Sequence, residues 1–429
     1  MLRRSRTLLA VCAAAVAALA GAPAAQAVEP GLVTDLSWGT PAADQDRTAG
    51  LISDLGARWV RVEINWREAE PAPGQYHAWS FEQYDRAVKL ARDAGAKVVI
   101  MVGKSPEWAS GSADAGTPPR DPADYARFVG HVAERYADAG VAAYEVWNEQ
   151  NLRRFWSTGP DAAAYVKLLA AAHGSIKAAD PRASVVFGGL STNDYAYVEA
   201  AYAAGAARYF DVMAVHPYTC GVAPGRPARR GDGRISPTSF LGYREVRASM
   251  AARGDAAKPI WFTEFGWSTT SAECGVSEAT QAAYVKEALD LTAGDAYVGA
   301  ALYYNARNNY WDKDSDTYEA QFGLVRTDFS PKPAYGALKA WARGSAAVSA
   351  GSTAAGAAAG ATGSPASVAA AGDAADSAAG AAAGAIALRV VVGPRAATAS
   401  AARATRAVRA RGKARGGASI RLDLYAGRR

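Results

Sequence analysis

Three cysteines and four histidines are spread over 429 residues, too sparsely for the Cys/His spacings that hold zinc. Beyond residue 27 no stretch approaches the roughly 20 uninterrupted apolar residues that a membrane-spanning helix needs. A Gly-rich phosphate loop after a strand is missing, as is a Gly-x-Ser-x-Gly elbow, so nucleotide-dependent transfer and serine-esterase chemistry have no support. Asp312, Asp314 and Asp316 open like an EF-hand loop, but Thr317 and Gly323 stand where that loop needs Gly and Glu. They are read as a solvated loop or the rim of a binding site. No metal and no cofactor are expected.

The two ends differ in kind from the middle. Residues 1–27 carry Arg3, Arg4 and Arg6, an apolar run from Leu8 to Ala20 and a small-x-small ending at Ala25-Gln26-Ala27, the pattern of a secretory signal peptide cleaved near Ala27. A retained N-terminal anchor is the alternative. From residue 344 to 385 Ala, Gly and Ser dominate, and residues 386–429 are Arg-rich. The first stretch reads as a flexible linker and the second as a basic tail or small β appendage, with strands expected at Ile386–Val392 and Ile420–Tyr425. The tail carries +8 and the leader +3 against a whole-chain +6, leaving −5 for residues 28–343. The basic character therefore belongs to the tail, which suits anionic wall polymers or else is a solvated tail. With Tyr425 as its only aromatic residue it has no nucleic-acid-binding signature.

Residues 28–343 suit one large α/β domain. Short Val/Ile/Trp/Phe-rich runs alternate with amphipathic Ala-rich segments. Strands are expected at Gly31–Trp38, Arg58–Asn65, Lys97–Gly103, Ala143–Glu149, Ser184–Leu190, Phe210–His216, Pro259–Phe265 and Ala300–Asn305. Helices are expected between them, among others at Phe81–Ala94, Pro122–Ala137, Asp161–Ala178 and Glu278–Ala293. Eight alternating units predict a closed (β/α)8 TIM barrel rather than an open sheet. Cys220 follows the sixth expected strand and Cys274 the seventh, so in an oxidising compartment they are expected to be bonded, with two free thiols as the alternative. The domain is expected to be a monomer.

Two of these strands run straight into a glutamate, Glu149 and Glu264, 115 residues apart. A charge at the tip of a buried strand is costly through desolvation, and barrel active sites form at the carboxyl ends of the strands. Facing each other, two such carboxylates are the equipment of a glycosidase. A gap of about 5–5.5 Å retains configuration and one of about 6.5–9.5 Å inverts it.

The motifs around them resemble those of clan A retaining glycoside hydrolases of the family 39 and family 5 types. Trp147-Asn148-Glu149 is similar to the clan's strand-four motif and Thr263-Glu264-Phe265-Gly266 to its strand-seven nucleophile motif. The segments Arg61 to Trp66 with Glu70 to Tyr76, and Gln321 to Leu324 through Ser330 to Tyr335, resemble its strand-two and post-strand-eight segments. The resemblance covers roughly residues 31–343. It implies Glu149 as acid/base, Glu264 as nucleophile, and Asn148 as a ligand for the sugar hydroxyl beside the reacting carbon. It further implies Arg61 as a partner of Glu264, His216 as a sugar ligand or a buried imidazole, and Tyr218 as a phenol donating to Glu264. One departure is Tyr303-Tyr304-Asn305, where family 5 often has a tryptophan after strand eight, which argues against a cellulase-like substrate.

Pyranose rings stack their C–H faces on aromatic side chains. Trp38, Trp66, Trp108, Trp156, Trp267, Tyr304, Tyr310 and Trp311 fall just past expected strand ends, with Trp267 and Trp311 the foremost candidates for sugar platforms. Trp59, Trp79, Trp147, Trp261 and Trp341 are expected in the core. Glu145 is expected to be structural, paired with a basic residue in the barrel, while Glu63 is weighed as a substrate ligand. The expected function is a secreted retaining O-glycosidase acting on a poly- or oligosaccharide. Alternatives are a non-catalytic carbohydrate-binding barrel and a transglycosidase using the same residues.

Overall fold

The computed structural model describes residues 28–37, 39–309 and 316–344, and the backbone of 408–413 and 419–424. The expected leader, Trp38, Tyr310, Trp311, residues 345–385 and the strand expected at Ile386–Val392 lie outside the described residues. The chain divides into two compact units between Thr362 and Gly363. In the second, Val408–Lys413 and Ser419–Leu424 pair antiparallel. The sequence reading anticipated the latter strand but not the former.

In the first unit eight parallel strands close into a barrel in sequential order. They are β1 (Glu29–Val33), β2 (Trp59–Asn65), β3 (Lys97–Gly103), β4 (Ala143–Asn148), β5 (Ser184–Ser191), β6 (Met213–His216), β7 (Ile260–Phe265) and β8 (Val298–Tyr303). Between and after them run α1 (Ala42–Leu55), α2 (Ala78–Asp93), α3 (Pro122–Ala137), α4 (Ala162–Ala179), α5 (Tyr195–Ala203), α6 (Tyr243–Ala251), α7 (Glu278–Ala293) and α8 (residues 333–344). The (β/α)8 expectation holds, with most boundaries shifted by a few residues.

Local chemistry starts and stops these helices. Asp121, Asp161, Asp194 and Ser277 each accept a hydrogen bond from a backbone N–H of the following turn, satisfying donors that the helix itself leaves open. Pro122 adds a pre-set φ at the first position of α3. Gly56 closes α1 with φ of 69°, a left-handed conformation that costs other residues energy.

Two apolar layers fill the barrel. The larger lies between strands and helices, and a smaller one occupies the interior, built from Val33, Trp59, Val99, Ala143, Val186, Val212, Ala214, Trp261, Ala300 and Leu302. At its base the Trp59 and Trp261 rings meet with centroids 4.5 Å apart. Along β2 the alternation of a strand sends Val60, Val62 and Ile64 to the helices and Trp59 and Arg61 to the interior. The interior changes from apolar to charged within two residues of the same strand.

Among the described residues no helix is long and apolar enough to cross a membrane. Cys220 and Cys274 form a disulfide between the loops that follow β6 and β7.

Candidate active site

Arg61 is the hub. It is 2% exposed, and its guanidinium donates from Nε to Glu145 Oε2 at 2.6 Å, from Nη1 to Glu264 Oε1 at 2.6 Å and from Nη2 to Asn148 Oδ1 at 2.7 Å. A planar fork of fixed donors can hold three acceptors from two strands in one geometry, which a lysine cannot. Burial opposes the charge, but Glu145 and Glu264 more than offset it and hold the guanidinium above its ordinary value. Glu145 is wholly buried and its oxygens accept from Arg61, from Gly189 N–H at 2.8 Å and from the Thr263 hydroxyl at 3.0 Å. It is the structural acid anticipated from sequence. Arg61 is thus both the basic partner of Glu145 and the partner of Glu264.

Glu264 at the end of β7 accepts a second strong bond from the Tyr218 hydroxyl, at 2.8 Å. Burial and the charge of Glu264 both push that phenol upward, so it stays a donor. Glu149 stands one residue past β4. It and Trp147 have positive φ values of 45° and 72°, uncommon for residues with side chains and costly unless the surroundings enforce them. The turn at Trp147 breaks the strand's alternation: its ring joins the outer core, and Asn148 and Glu149 are delivered to the mouth.

His216, at the end of β6, sits behind the carboxylates with no exposed surface. Its Nε2 lies 3.0 Å from Thr263 Oγ1 and its Nδ1 3.0 Å from Glu149 Oε1 and 3.7 Å from Glu264 Oε2. Because the Thr263 hydroxyl spends its proton on Glu145, Nε2 must donate to it. The contact between Nδ1 and Glu149 then needs one proton, carried by the carboxyl or by the imidazolium. Burial alone would depress the imidazole, but the Glu264 and Glu149 carboxylates reverse this and hold it above its ordinary value. Gly189 makes room for the ring: a Cβ there would stand 2.1 Å from His216 Nε2. The imidazole is thus a buried partner of Glu149, not a surface ligand for sugar.

One carboxylate oxygen from each glutamate and a ring nitrogen of His216 lie within 4.8 Å of one another. Such a cluster has the donors for a cation, but the Arg61 guanidinium and the Tyr218 O–H already turn positive ends toward Glu264. The side chains of Glu149 and Glu264 are 12% and 13% exposed, open to a ligand and otherwise withdrawn from water. They face a cavity of about 1080 Å³, to which Arg61, Asn148, Tyr218, Tyr304, Glu63, Lys104, Arg154 and Glu319 also contribute. Glu63 pairs with Lys104 at 2.7 Å, which raises the lysine, and Arg154 pairs with Glu319 at 3.4 Å. Burial, with Glu264 and Glu149 nearby, raises the Glu319 carboxyl despite Arg154.

Glu149, Glu264, Arg61, Asn148, His216, Tyr218 and Tyr304 therefore meet in one place. The aromatic expectations fare less well. Trp66 has no exposed surface, donates to Glu70 and stacks on Phe128. Trp267 is 2% exposed, donates to Thr219 and packs between Phe240, Phe265 and Tyr284. Trp156 is buried and Trp108 lies against Trp66 with Arg127 over it. These rings are core, because a residue just past a strand can turn back under its helix as readily as toward the mouth. The converse correction is Trp79, expected in the core and found 54% exposed on the cavity wall. The signal was present in the sequence: the buried stripe of α2 is Phe81, Tyr84, Ala87, Val88 and Ala91, and at 100° per residue Trp79 falls on the opposite face.

Residues 21–306 match the family profile described as Cellulase (glycosyl hydrolase family 5). Over 318 residues the chain is 26% identical to a β-xylosidase of Geobacillus stearothermophilus, covering 68% of this chain and 60% of that protein's length. A family 39 glycoside hydrolase from Bacteroides cellulosilyticus WH2 superposes with a TM-score of 0.61 at 24% identity, covering 74% of this chain and 64% of the other. A monomeric β-xylosidase from Caulobacter crescentus CB15 gives 0.55 at 20% identity, with 73% and 69% covered. These structural likenesses speak to the barrel. The profile takes in well over half of the chain and spans all eight strands of the barrel, and the protein belongs to the cellulase-type glycoside hydrolases of family 5.

Proposed function

We propose that this protein is a secreted retaining O-glycosidase in which Glu264 is the nucleophile and Glu149 the acid/base. The observation that carries the reading is that one oxygen of each carboxylate lies within 4.8 Å of the other, on the scale of the about 5–5.5 Å of retaining enzymes rather than the about 6.5–9.5 Å of inverting ones. The partners of each glutamate divide the labour. Glu264 has a guanidinium on one oxygen and a phenol on the other, both donating to the carboxylate that attacks and holding it in place. Glu149 has a partner in His216 with which it shares a proton, as a group that must give and take one requires.

In the first step a Glu264 oxygen forms a bond to the anomeric carbon while the bond to the leaving oxygen breaks and the Glu149 proton passes to that oxygen. In the second, Glu149 takes a proton from water, the water oxygen bonds to the anomeric carbon, and the bond to Glu264 breaks. The Asn148 amide nitrogen, whose oxygen is held by Arg61, is the donor for the adjacent sugar hydroxyl, a contact that tightens as positive charge develops on the ring. The relatives make β-xylosides the first substrates to try, with export through the leader and attachment through the basic tail as parts of the same proposal.

Aryl β-xylosides, β-mannosides and β-glucosides and a polysaccharide panel, offered to wild type and Glu264→Gln, test it. Turnover lost in the variant is expected; carbohydrate binding without turnover in both proteins would replace the reading with a lectin-like barrel. Glu149→Ala should spare the first step for leaving groups that need no proton, so equal losses on activated and unactivated aglycones would reverse the assignment.

A further inference from the structure

Among the described residues three large apolar side chains stand in the open: Trp79 at 54%, Val222 at 47% and Leu152 at 37%. Two of them, Trp79 and Leu152, line the cavity that holds Glu149 and Glu264. Packing does not account for Trp79. It lies off the buried stripe of α2, and among the described residues its nearest aromatic neighbour, His77, is 6.1 Å away between centroids. A flat apolar ring facing a polar cavity offers a face on which a sugar can stack. One turn further along α2, on the same face, Gln83 is half-buried and also lines the cavity. Its amide has no hydrogen-bond partner among the described residues, so it can both donate to and accept from a hydroxyl group. An aromatic face beside an uncommitted amide is a fitting cradle for a sugar ring.

The cavity is also larger than one sugar requires. At about 1080 Å³ it exceeds the range of about 300–1,000 Å³ that accommodates drug-sized ligands. Among the described residues its cations are all engaged: Arg61 with Glu145 and Glu264, Lys104 with Glu63, Arg154 with Glu319. None of these is left over for the carboxylate of an acidic sugar.

We infer that Trp79 and Gln83 form a distal subsite, and that the substrate is a chain of neutral sugars with one unit stacked on Trp79 while another sits between Glu149 and Glu264. The inference rests on the glycosidase reading and deepens it. Covering one face of the ring is worth about tenfold in kcat/KM at the usual value of buried apolar area.

The test is the ratio of kcat/KM on neutral β-1,4-linked xylo-, manno- and gluco-oligosaccharides to kcat/KM on the matching aryl monoglycoside, measured on the full chain. In wild type the ratio should climb with chain length. Trp79→Ala should lower it about tenfold, and Trp79→Phe should restore most of the loss. Hydrolysis of aryl monoglycosides with no gain from chain length, or a gain indifferent to Trp79→Ala, overturns the subsite and leaves the glycosidase standing. Absence of all turnover overturns the glycosidase instead. The subsite is then decided by binding of the same oligosaccharides to Glu264→Gln, where affinity unchanged by the added Trp79→Ala overturns it.

Discussion

The floor and the mouth of this barrel are built from inward positions of the same strands, yet they answer to opposite physics. On β2, Trp59 lies against Trp261 in an apolar layer, while Arg61, two residues on, binds Glu145, Glu264 and Asn148. The floor gains free energy by removing apolar surface from water. The mouth takes a guanidinium and carboxylates out of water and offsets the cost only by meeting nearly every donor and acceptor. One end of the interior is stable in any arrangement that fills space; the other tolerates a single arrangement, and that arrangement is the candidate catalytic machinery.

The comparison can be broken most severely at Glu264. Replacement by Gln keeps the shape and should cost about 10⁴-fold or more in kcat with little change in thermal stability; a matching loss of stability would place Glu264 among structural acids like Glu145. Next comes Arg61→Met, which strands the buried Glu145 charge and should cost about 3–5 kcal/mol as well as activity. Trp59→Ala should cost a similar 3–5 kcal/mol through the cavity it leaves, but the protein that remains folded should keep its kcat. Denaturant midpoints beside active-site titration separate the two ends, and a fall in kcat for Trp59→Ala would show that they are coupled.

A smaller effect sharpens the comparison through pH. Lys332 is 2% exposed, and its ammonium nitrogen has only neutral partners, Thr269 Oγ1, Asn308 Oδ1 and the Gln321 carbonyl. Burial pulls it down to about 8. The unfolded chain, with an ordinary lysine near 10.4, binds more protons than the folded one between these values. Stability should therefore rise as pH climbs from about 8 to about 10, by no more than on the order of 3 kcal/mol. Urea midpoints that fall across this window, or a rise that survives in Lys332→Met, would contradict it. Gly189→Ala should cost less stability than Arg61→Met or Trp59→Ala, about 1–3 kcal/mol, and should lower activity by displacing His216 from Glu149.

Much was legible from sequence because the determinants are local or periodic. Strand and helix alternation, the capping Asp and Ser residues and the two glutamate tips each lie within a few residues of chain, and so do Asn148 beside Glu149 and Tyr218 after His216. Trp66 and Trp267 were misread for the opposite reason. Position relative to a strand end says that a ring is near the mouth, and only the packing of Phe128 against Trp66, or of Phe240 and Tyr284 against Trp267, says that it turns inward. Trp79 could have been placed by helical periodicity.

By itself the sequence determined the eight-unit barrel, the pair of glutamates and their immediate neighbours, because apolar period and strand length fix secondary structure and the barrel then fixes which ends converge. The tertiary structure alone decided the gap between the carboxylates, the three-way hold of Arg61, the contact between His216 and Glu149, and which rings just past strand ends turn into the core. Those are distances and exposures between residues tens to hundreds of positions apart, set by side-chain packing across strands that no local pattern records.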